Sequence, residues 1–138
     1  MEINFEYKEM LKPKSSFAES KFRWYAQEQL GALKYYLKPA AKVIKEYKEN
    51  GWQGNCFALI EYKNAYVLWR DYFGSCSGCD ALDGCSIKRG YDYIESTMTE
   101  GNCKRFKSVK NMESWLLNTD DYLWEALKNN YSKFKGGD

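Results

Sequence analysis

The sequence predicts an α+β fold in one domain, residues 1–138, with a small antiparallel sheet built on a central β-hairpin at about residues 55–73. Two neighbouring segments, 55–62 and 65–73, are rich in β-branched, aromatic and aliphatic residues, and only two residues separate them. Amphipathic helical patterns occur before and after this hairpin. The length of 138 residues suits a single domain with a hydrophobic core.

The first part of the chain predicts an arm or short strand followed by a helix. Apolar and polar residues alternate over residues 3–8, which permits either a strand or an extended arm. Ser16-Phe17-Ala18-Glu19 has the pattern of a capping box and predicts a helix start. The apolar stripe that follows at helical spacing consists of Phe22, Ala26, Leu30, Leu33 and Leu37.

The segment between Pro39 and the hairpin is predicted to be a second helix. Pro39 ends or kinks the preceding helix and also suits a first helical turn. Ala40 to Glu49 then continues as helix, and Gly51 is the expected stop.

The first hairpin strand is apolar on both of its faces. Phe57 and Leu59 lie on one face, and Ala58 and Ile60 on the other. This pattern predicts a central strand that helices cover on at least part of both sides.

The chain after the hairpin predicts a loop, a helix, a short edge strand and two further helices. The turn-rich loop spans residues 74–84 and the edge strand residues 103–109. Asn111 and Thr119 are the expected caps of the two later helices. The helix between loop and edge strand carries Ile87, Tyr91, Ile94 and Met98, and the last helix carries Leu123, Ala126, Leu127, Tyr131 and Phe134.

Composition excludes several classes of function. The chain has no histidine, so Ser-His-Asp hydrolases, Cys–His nucleophile pairs and His-ligated metal sites are excluded. A net charge of +2 gives no global electrostatic case for nucleic acid or membrane. No signal peptide or bilayer-length apolar segment is evident, and the odd count of 5 cysteines argues against a disulfide framework. We therefore expect a cytoplasmic protein with reduced thiols.

The most unusual segment is the loop Gly74-Ser75-Cys76-Ser77-Gly78-Cys79-Asp80. Cys76 and Cys79 have the C-x2-C spacing of zinc ligands, and Cys85 and Cys103 complete a candidate tetrahedral site. The same loop also fits a backbone anion nest, a redox dithiol, or simple packing of two small thiols under a tight turn. The four-cysteine site implies zinc as a cofactor, whereas simple packing of the thiols implies no cofactor.

A longer segment around this loop resembles a known group of proteins. Residues 72–82 are similar to a segment of small uncharacterised phage and bacterial proteins that also have an aromatic-rich hairpin before it. The similarity extends over roughly residues 51–117, and the shared core does not include Cys85 or Cys103. The resemblance implies no catalytic residues, and it favours a mobile-element origin and a role in contacting host components.

Aromatic and basic residues outside the predicted core provide a candidate partner surface. Tryptophan, tyrosine and arginine are the residues on which protein interfaces most depend. A basic cluster without an intervening acid also suits nucleic acid. The candidate partner-binding residues are Trp24, Tyr35 and Trp124, which fall off the predicted stripes, and Lys104, Arg105, Lys107 and Lys110.

These observations favour a small cytosolic interaction protein that binds another macromolecule, most simply a protein, such as a phage or mobile-element inhibitor of a host defence system. The first alternative is a metal- or small-ligand-dependent enzyme centred on Cys76, Cys79 and Asp80. The second is a nucleic-acid-binding protein that uses aromatic platforms beside cations.

Overall fold

The computed structural model describes residues 4–18, 29–74 and 86–136. Within these residues the chain forms a four-stranded antiparallel sheet in the order β1-β2-β3-β4, with helices on both faces. The predicted α+β class is confirmed. The strands are β1 (Lys42–Lys48), β2 (Gly54–Tyr62), β3 (Ala65–Phe73) and β4 (Cys103–Phe106), and the helices are α1 (Gln29–Tyr36), α2 (Ile87–Ser96), α3 (Val109–Asn118), α4 (Glu125–Asn129) and α5 (Tyr131–Gly136).

The predicted hairpin is confirmed as β2 and β3. Their two turn residues, Lys63 and Asn64, both have positive φ values, 49° and 62°, as a type I′ turn requires. The register then pairs Tyr62 with Ala65 and continues without interruption to Gly54 and Phe73. This turn matches the twist of the two strands, so a local signal of two residues sets the register of the sheet centre.

Two hydrophobic cores lie on opposite faces of the sheet. The first core, against the N-terminal arm, α1 and α2, receives Ala58 and Ile60 of β2. The second core, against α3, α4 and α5, receives Phe57 and Leu59. The prediction of a central strand covered on both sides is confirmed, because successive side chains of a strand point to opposite faces.

The prediction of a helix over residues 40–49 is wrong, because these residues form the edge strand β1. Half-buried and exposed residues alternate along it, which is the period of a strand. A β-bulge between Val43 and Lys45 shifts the register against β2. Val43 consequently packs on the first core and Tyr47 on the second, although both occupy odd positions.

The helix start expected at Ser16 is wrong, because Phe17 after it has an extended backbone; Glu19 of the predicted capping box lies outside the described residues. Ser16 is the last residue of a 3₁₀ turn, Lys14–Ser16, and its hydroxyl donates to the carbonyl oxygen of Pro13 at 2.6 Å. The arm before it forms a second 3₁₀ turn, Tyr7–Met10, rather than a strand. Phe22 and Ala26 of the predicted stripe lie outside the described residues, whereas the predicted burial of Leu30, Leu33 and Leu37 is confirmed.

The later elements follow the prediction with different caps. The helix after the loop and the short edge strand are confirmed as α2 and β4. Ser108, rather than Asn111, caps α3, because its hydroxyl accepts the Asn111 backbone N–H at 3.0 Å. Thr119 does not cap the final segment; Asp121 accepts the Leu123 backbone N–H at 3.0 Å and begins a 3₁₀ turn, Tyr122–Trp124, ahead of α4 and α5.

Candidate functional site

Exposed aromatic side chains and buried or half-buried polar side chains lie at the end of the sheet where β2 begins and β3 ends. The residues of this strand-end site are Glu49, Trp52, Asn55, Arg70 and Tyr72. The β1–β2 turn carries the first two, and the facing ends of β2 and β3 carry the others. None of them is among the partner-binding residues that the sequence predicts.

Trp52 is the most exposed large hydrophobic residue in the described part of the chain, at 82%. It lies in a turn whose two glycines have φ values of 113° for Gly51 and 158° for Gly54, values that few other residues adopt. A Cβ atom on Gly54 would lie 3.1 Å from the Glu49 side chain. The backbone N–H of Glu49 donates to the carbonyl oxygen of Asn55 at 3.0 Å and closes the turn. The indole is thus presented on a backbone of defined shape.

Tyr72 and Arg70 share one face of the sheet with Asn55. The register places Asn55 opposite Tyr72 and Phe57 opposite Arg70, and residues two apart on a strand lie on the same face. Tyr72 is 45% exposed, whereas Arg70 is only 8% exposed. An exposed ring therefore lies next to a buried cation.

Arg70 is held by a chain of hydrogen bonds that begins at Glu49. The Glu49 carboxylate accepts from the backbone N–H of Asn55 at 2.7 Å and from its side-chain Nδ2 at 2.9 Å. The Asn55 Oδ1 atom accepts from a terminal nitrogen of Arg70 at 2.7 Å. The amide of Asn55 uses both its donor and its acceptor, so its own orientation is fixed and it links the Glu49 carboxylate to the guanidinium. Arg70 Nε is buried without a hydrogen-bond partner.

The opposite face of the same sheet end contains a buried acid. Asp71 is 7% exposed and accepts a hydrogen bond from the Tyr93 hydroxyl, 2.6 Å from its Oδ2 atom. Burial raises the pKa of the Asp71 carboxyl, and burial together with this acid raises the pKa of Tyr93. The Cys56 thiol beside them donates to the Asp71 carbonyl oxygen at 3.5 Å, and burial raises its pKa. Cys56 is consequently a poor nucleophile, because the thiolate is the reactive form.

The predicted four-cysteine metal site lies mostly outside the described residues. Cys76, Cys79 and Cys85, and with them Asp80, fall in the undescribed residues 75–85. Cys103 is buried in the first core, its thiol lies 3.6 Å from the Thr97 carbonyl oxygen, and burial raises its pKa. Across residues 4–18, 29–74 and 86–136, no three side chains of metal-binding types come together. The metal site stays a prediction.

The expectation that Trp124 lies off the buried faces is wrong. It is 0% exposed, and its ring lies 6.1 Å from that of Phe57 and 5.6 Å from that of Trp115 in the second core. A stripe drawn from Trp124 through Leu127 to Phe134 has helical steps of three and seven, so the spacing itself contained the signal for burial. Trp24 lies outside the described residues.

Tyr35 is exposed at 40%, as expected, beside a cleft of about 320 Å³ lined by Lys12, Lys34 and Lys38. These lysines surround the carboxyl end of α1, where Lys12 Nζ donates to the Tyr35 carbonyl oxygen at 3.0 Å. Lys34 Nζ lies 2.8 Å from the Glu46 carboxylate. The lysines therefore complement the helix dipole and its terminal carbonyl groups, a structural role.

The predicted basic cluster divides into a structural and an exposed half. Lys104 Nζ donates to the Glu100 carbonyl oxygen at 2.6 Å, and Arg105 donates to the Phe5 carbonyl oxygen and pairs with the Glu100 carboxylate at 3.0 Å. Arg105 thus attaches the N-terminal arm to β4, and Lys104 binds the turn that precedes β4. Lys107 and Lys110 are exposed.

No known protein provides evidence on the function of this chain, so the functional inference depends on the geometry. Protein-family models, curated proteins and solved structures were compared with the chain, and none matches it. Among the described residues no helix has the length and apolar character to cross a membrane. The strand-end site carries one signal in the sequence, a tryptophan set between two turn glycines in Gly51-Trp52-Gln53-Gly54.

Proposed function

We propose that this chain is a small interaction protein that acts by binding another protein through the strand-end site. The observation that carries the proposal is Trp52, an indole 82% exposed to solvent on a glycine-shaped turn. Tyr72 and Arg70 lie at the same end of the sheet. Tryptophan, tyrosine and arginine are the three residue types most enriched in interface hot spots.

The energetics favour an interface at this position. Covering an indole removes about 200 Å² of surface from water, worth about 4–5 kcal/mol before the costs of association. Because the turn is closed by a backbone hydrogen bond and shaped by two glycines, little conformational entropy is lost on binding. Because Trp52 is 82% exposed in the free chain, its indole contributes little hydrophobic free energy to folding.

The proposal retains the broader role inferred from the sequence. The chain's 138 residues and its resemblance to small phage and bacterial proteins support a mobile-element inhibitor of a host defence system, acting in the cytoplasm of a bacterial host. The surface is revised, since the buried Trp124 is replaced by Trp52 and Tyr72.

The test is affinity capture from bacterial lysate with the wild-type chain and two variants. We expect the wild type to recover a stoichiometric protein, Trp52→Ala to lose it, and Tyr122→Ala to retain it. Tyr122 is the matched control because it is 78% exposed on a different element, the 3₁₀ turn before α4. Equal recovery by all three chains, or recovery of nothing, contradicts the proposal.

A further inference from the structure

The charge environment of Arg70 points to the chemistry of the partner. We infer that the partner presents an aspartate or glutamate side chain to Arg70; this inference rests on the proposed function. Arg70 is more than nine-tenths buried, and its described hydrogen bonds use one terminal nitrogen, which donates to Asn55 at 2.7 Å. Its Nε atom has no acceptor. Within the described ranges, no carboxylate lies within ion-pair distance of the guanidinium.

The carboxylates of neighbouring residues are directed elsewhere. Asp71 is adjacent in sequence, but alternation along β3 places its side chain on the opposite face, where it accepts from Tyr93. Glu49 reaches Arg70 only through the neutral amide of Asn55. A buried cation without a direct counter-ion is costly, and a carboxylate matches the planar donor fork of arginine.

A second buried donor on the same face also lacks an acceptor. The indole Nε1 of Trp124 is unpartnered, and its ring packs on Phe57, the residue opposite Arg70. The face around Phe57 thus has more donors than acceptors. Trp124 is fully buried, so of these two residues only Arg70 reaches the surface. A partner that supplies an acceptor to Arg70 gains more than one that supplies a further donor.

The surroundings favour a carboxylate over a phosphate group. Phosphate-binding surfaces combine several cations, whereas the strand-end site has Arg70 and the Glu49 carboxylate, and Lys48 at the same sheet end lies over the Phe73 ring on the other face. A doubly charged phosphate would be repelled by Glu49 more than a singly charged carboxylate would. The exposed rings of Trp52 and Tyr72 suit apolar residues flanking the acid. The occupant is therefore a protein segment with one Asp or Glu between apolar side chains.

The first test follows the Arg70 Nε–H resonance by ¹H–¹⁵N NMR during titration with acetyl-Leu-Glu-Leu-amide. We expect a saturable shift with this peptide and none with acetyl-Leu-Gln-Leu-amide, which differs only in charge. Arg70→Lys should weaken peptide binding roughly ten- to a hundredfold, because a point charge replaces the planar fork. Equal shifts with both peptides, no shift with either, or tighter binding of inorganic phosphate overturn the inference.

A second variant guards against misfolding of Arg70→Lys. Asn55→Asp is made together with Glu49→Gln, because the Asn55 amide donates to the Glu49 carboxylate at 2.9 Å and a second carboxylate there would be repelled. The new carboxylate then lies against Arg70, so we expect peptide binding to fall about tenfold or more while the fold is kept. Thermal unfolding of each variant reports whether the fold is intact. Unchanged peptide binding by the folded double variant counts against the inference.

The capture experiment separates this inference from the proposed function. Arg70→Lys should reduce partner recovery at least tenfold, and Arg89→Lys, the same exchange at an exposed position of α2, should not. If Trp52→Ala loses the partner and folded Arg70→Lys keeps it, the carboxylate is refuted and the interface stands. If neither change affects recovery, the interface itself is refuted.

Discussion

The buried carboxylate of Asp71 should make the protein less stable at neutral pH than an uncharged side chain would. The carboxyl is 7% exposed and burial is the main cause of its raised pKa, while the hydrogen bond from Tyr93 opposes that effect. The other titratable groups that act on this pair are Cys56 and the Arg70 guanidinium. We predict that Asp71→Asn raises the free energy of unfolding at pH 7, because the amide oxygen keeps the Tyr93 hydrogen bond and the charge is removed.

The sign follows from the direction of the shift. Below the usual aspartate pKa of about 3.9, the carboxyl is protonated in both the folded and the unfolded chain and costs nothing. As pH rises through the unfolded pKa towards the raised folded pKa, the unfolded chain ionises first, so stability is lost. Each unit of elevation corresponds to about 1.4 kcal/mol, or roughly 3–5 °C in melting temperature for a chain of this length.

The assay is thermal unfolding of the wild type and Asp71→Asn from pH 3 to pH 8. The variant should melt higher at pH 7, and the difference should shrink towards zero as the pH falls. Asp92→Asn is the control, since Asp92 is exposed and pairs with Lys14 at 2.8 Å, and an exposed pair is worth about 0–1 kcal/mol. A lower melting temperature for Asp71→Asn at pH 7, or a difference independent of pH, would refute this reasoning.

The remaining predictions concern the cores and the thiols. Trp124→Ala should lower the free energy of unfolding by about 3–5 kcal/mol in urea titration, because the indole is fully buried, while Tyr122→Ala should stay within about 0.5 kcal/mol. Asn64→Val should destabilise by about 1 kcal/mol or more while Asn64→Gly should not, since φ is 62° at this position; equal melting temperatures would contradict the turn assignment. Cys56 and Cys103 should resist iodoacetamide at pH 7 until the chain is unfolded, because burial raises both pKa values; peptide mass spectrometry locates the label, and rapid native labelling of either would count against the structure.

The elements that sequence patterns predicted correctly are those specified by neighbouring residues. The hairpin depends on the turn at Lys63 and Asn64, and α2 depends on apolar residues repeating at helical spacing after Ser86. The incorrect prediction of a helix over residues 40–49 depended on Pro39 as a first-turn residue and Gly51 as a stop, and in the sequence the bulge hides the strand period. Residues 42–48 form a strand because they pair with β2, and the pattern of these residues alone does not show that pairing.

The strand-end site could not be predicted because pairing assembles it. Asn55 and Arg70 are 15 positions apart and lie at two ends of apolar strands, where each looks like a boundary residue. Only the hairpin register brings the amide to the guanidinium. Trp52 was accessible to sequence reasoning, because a large aromatic residue between turn glycines has no helix or strand in which to be buried. The turn that exposes Trp52 exists only because β1 is a strand that pairs with β2, and the sequence predicted a helix there.

The bulge in β1 has a consequence for how the two halves of the molecule hold together. Val43 and Tyr47 would face the same side of a regular strand, yet Val43 packs against the first core and Tyr47 against the second core. The extra residue, Ile44, reverses the parity of the strand between them. Deleting either Ile44 or Glu46 would leave three steps between Val43 and Tyr47, the same as between their partners Ile60 and Phe57, so both side chains would keep their faces in a regular strand. At this edge of the sheet, the register of Val43 and Tyr47 against β2 determines that β1 packs against both cores, and the identity of the residues between them matters less.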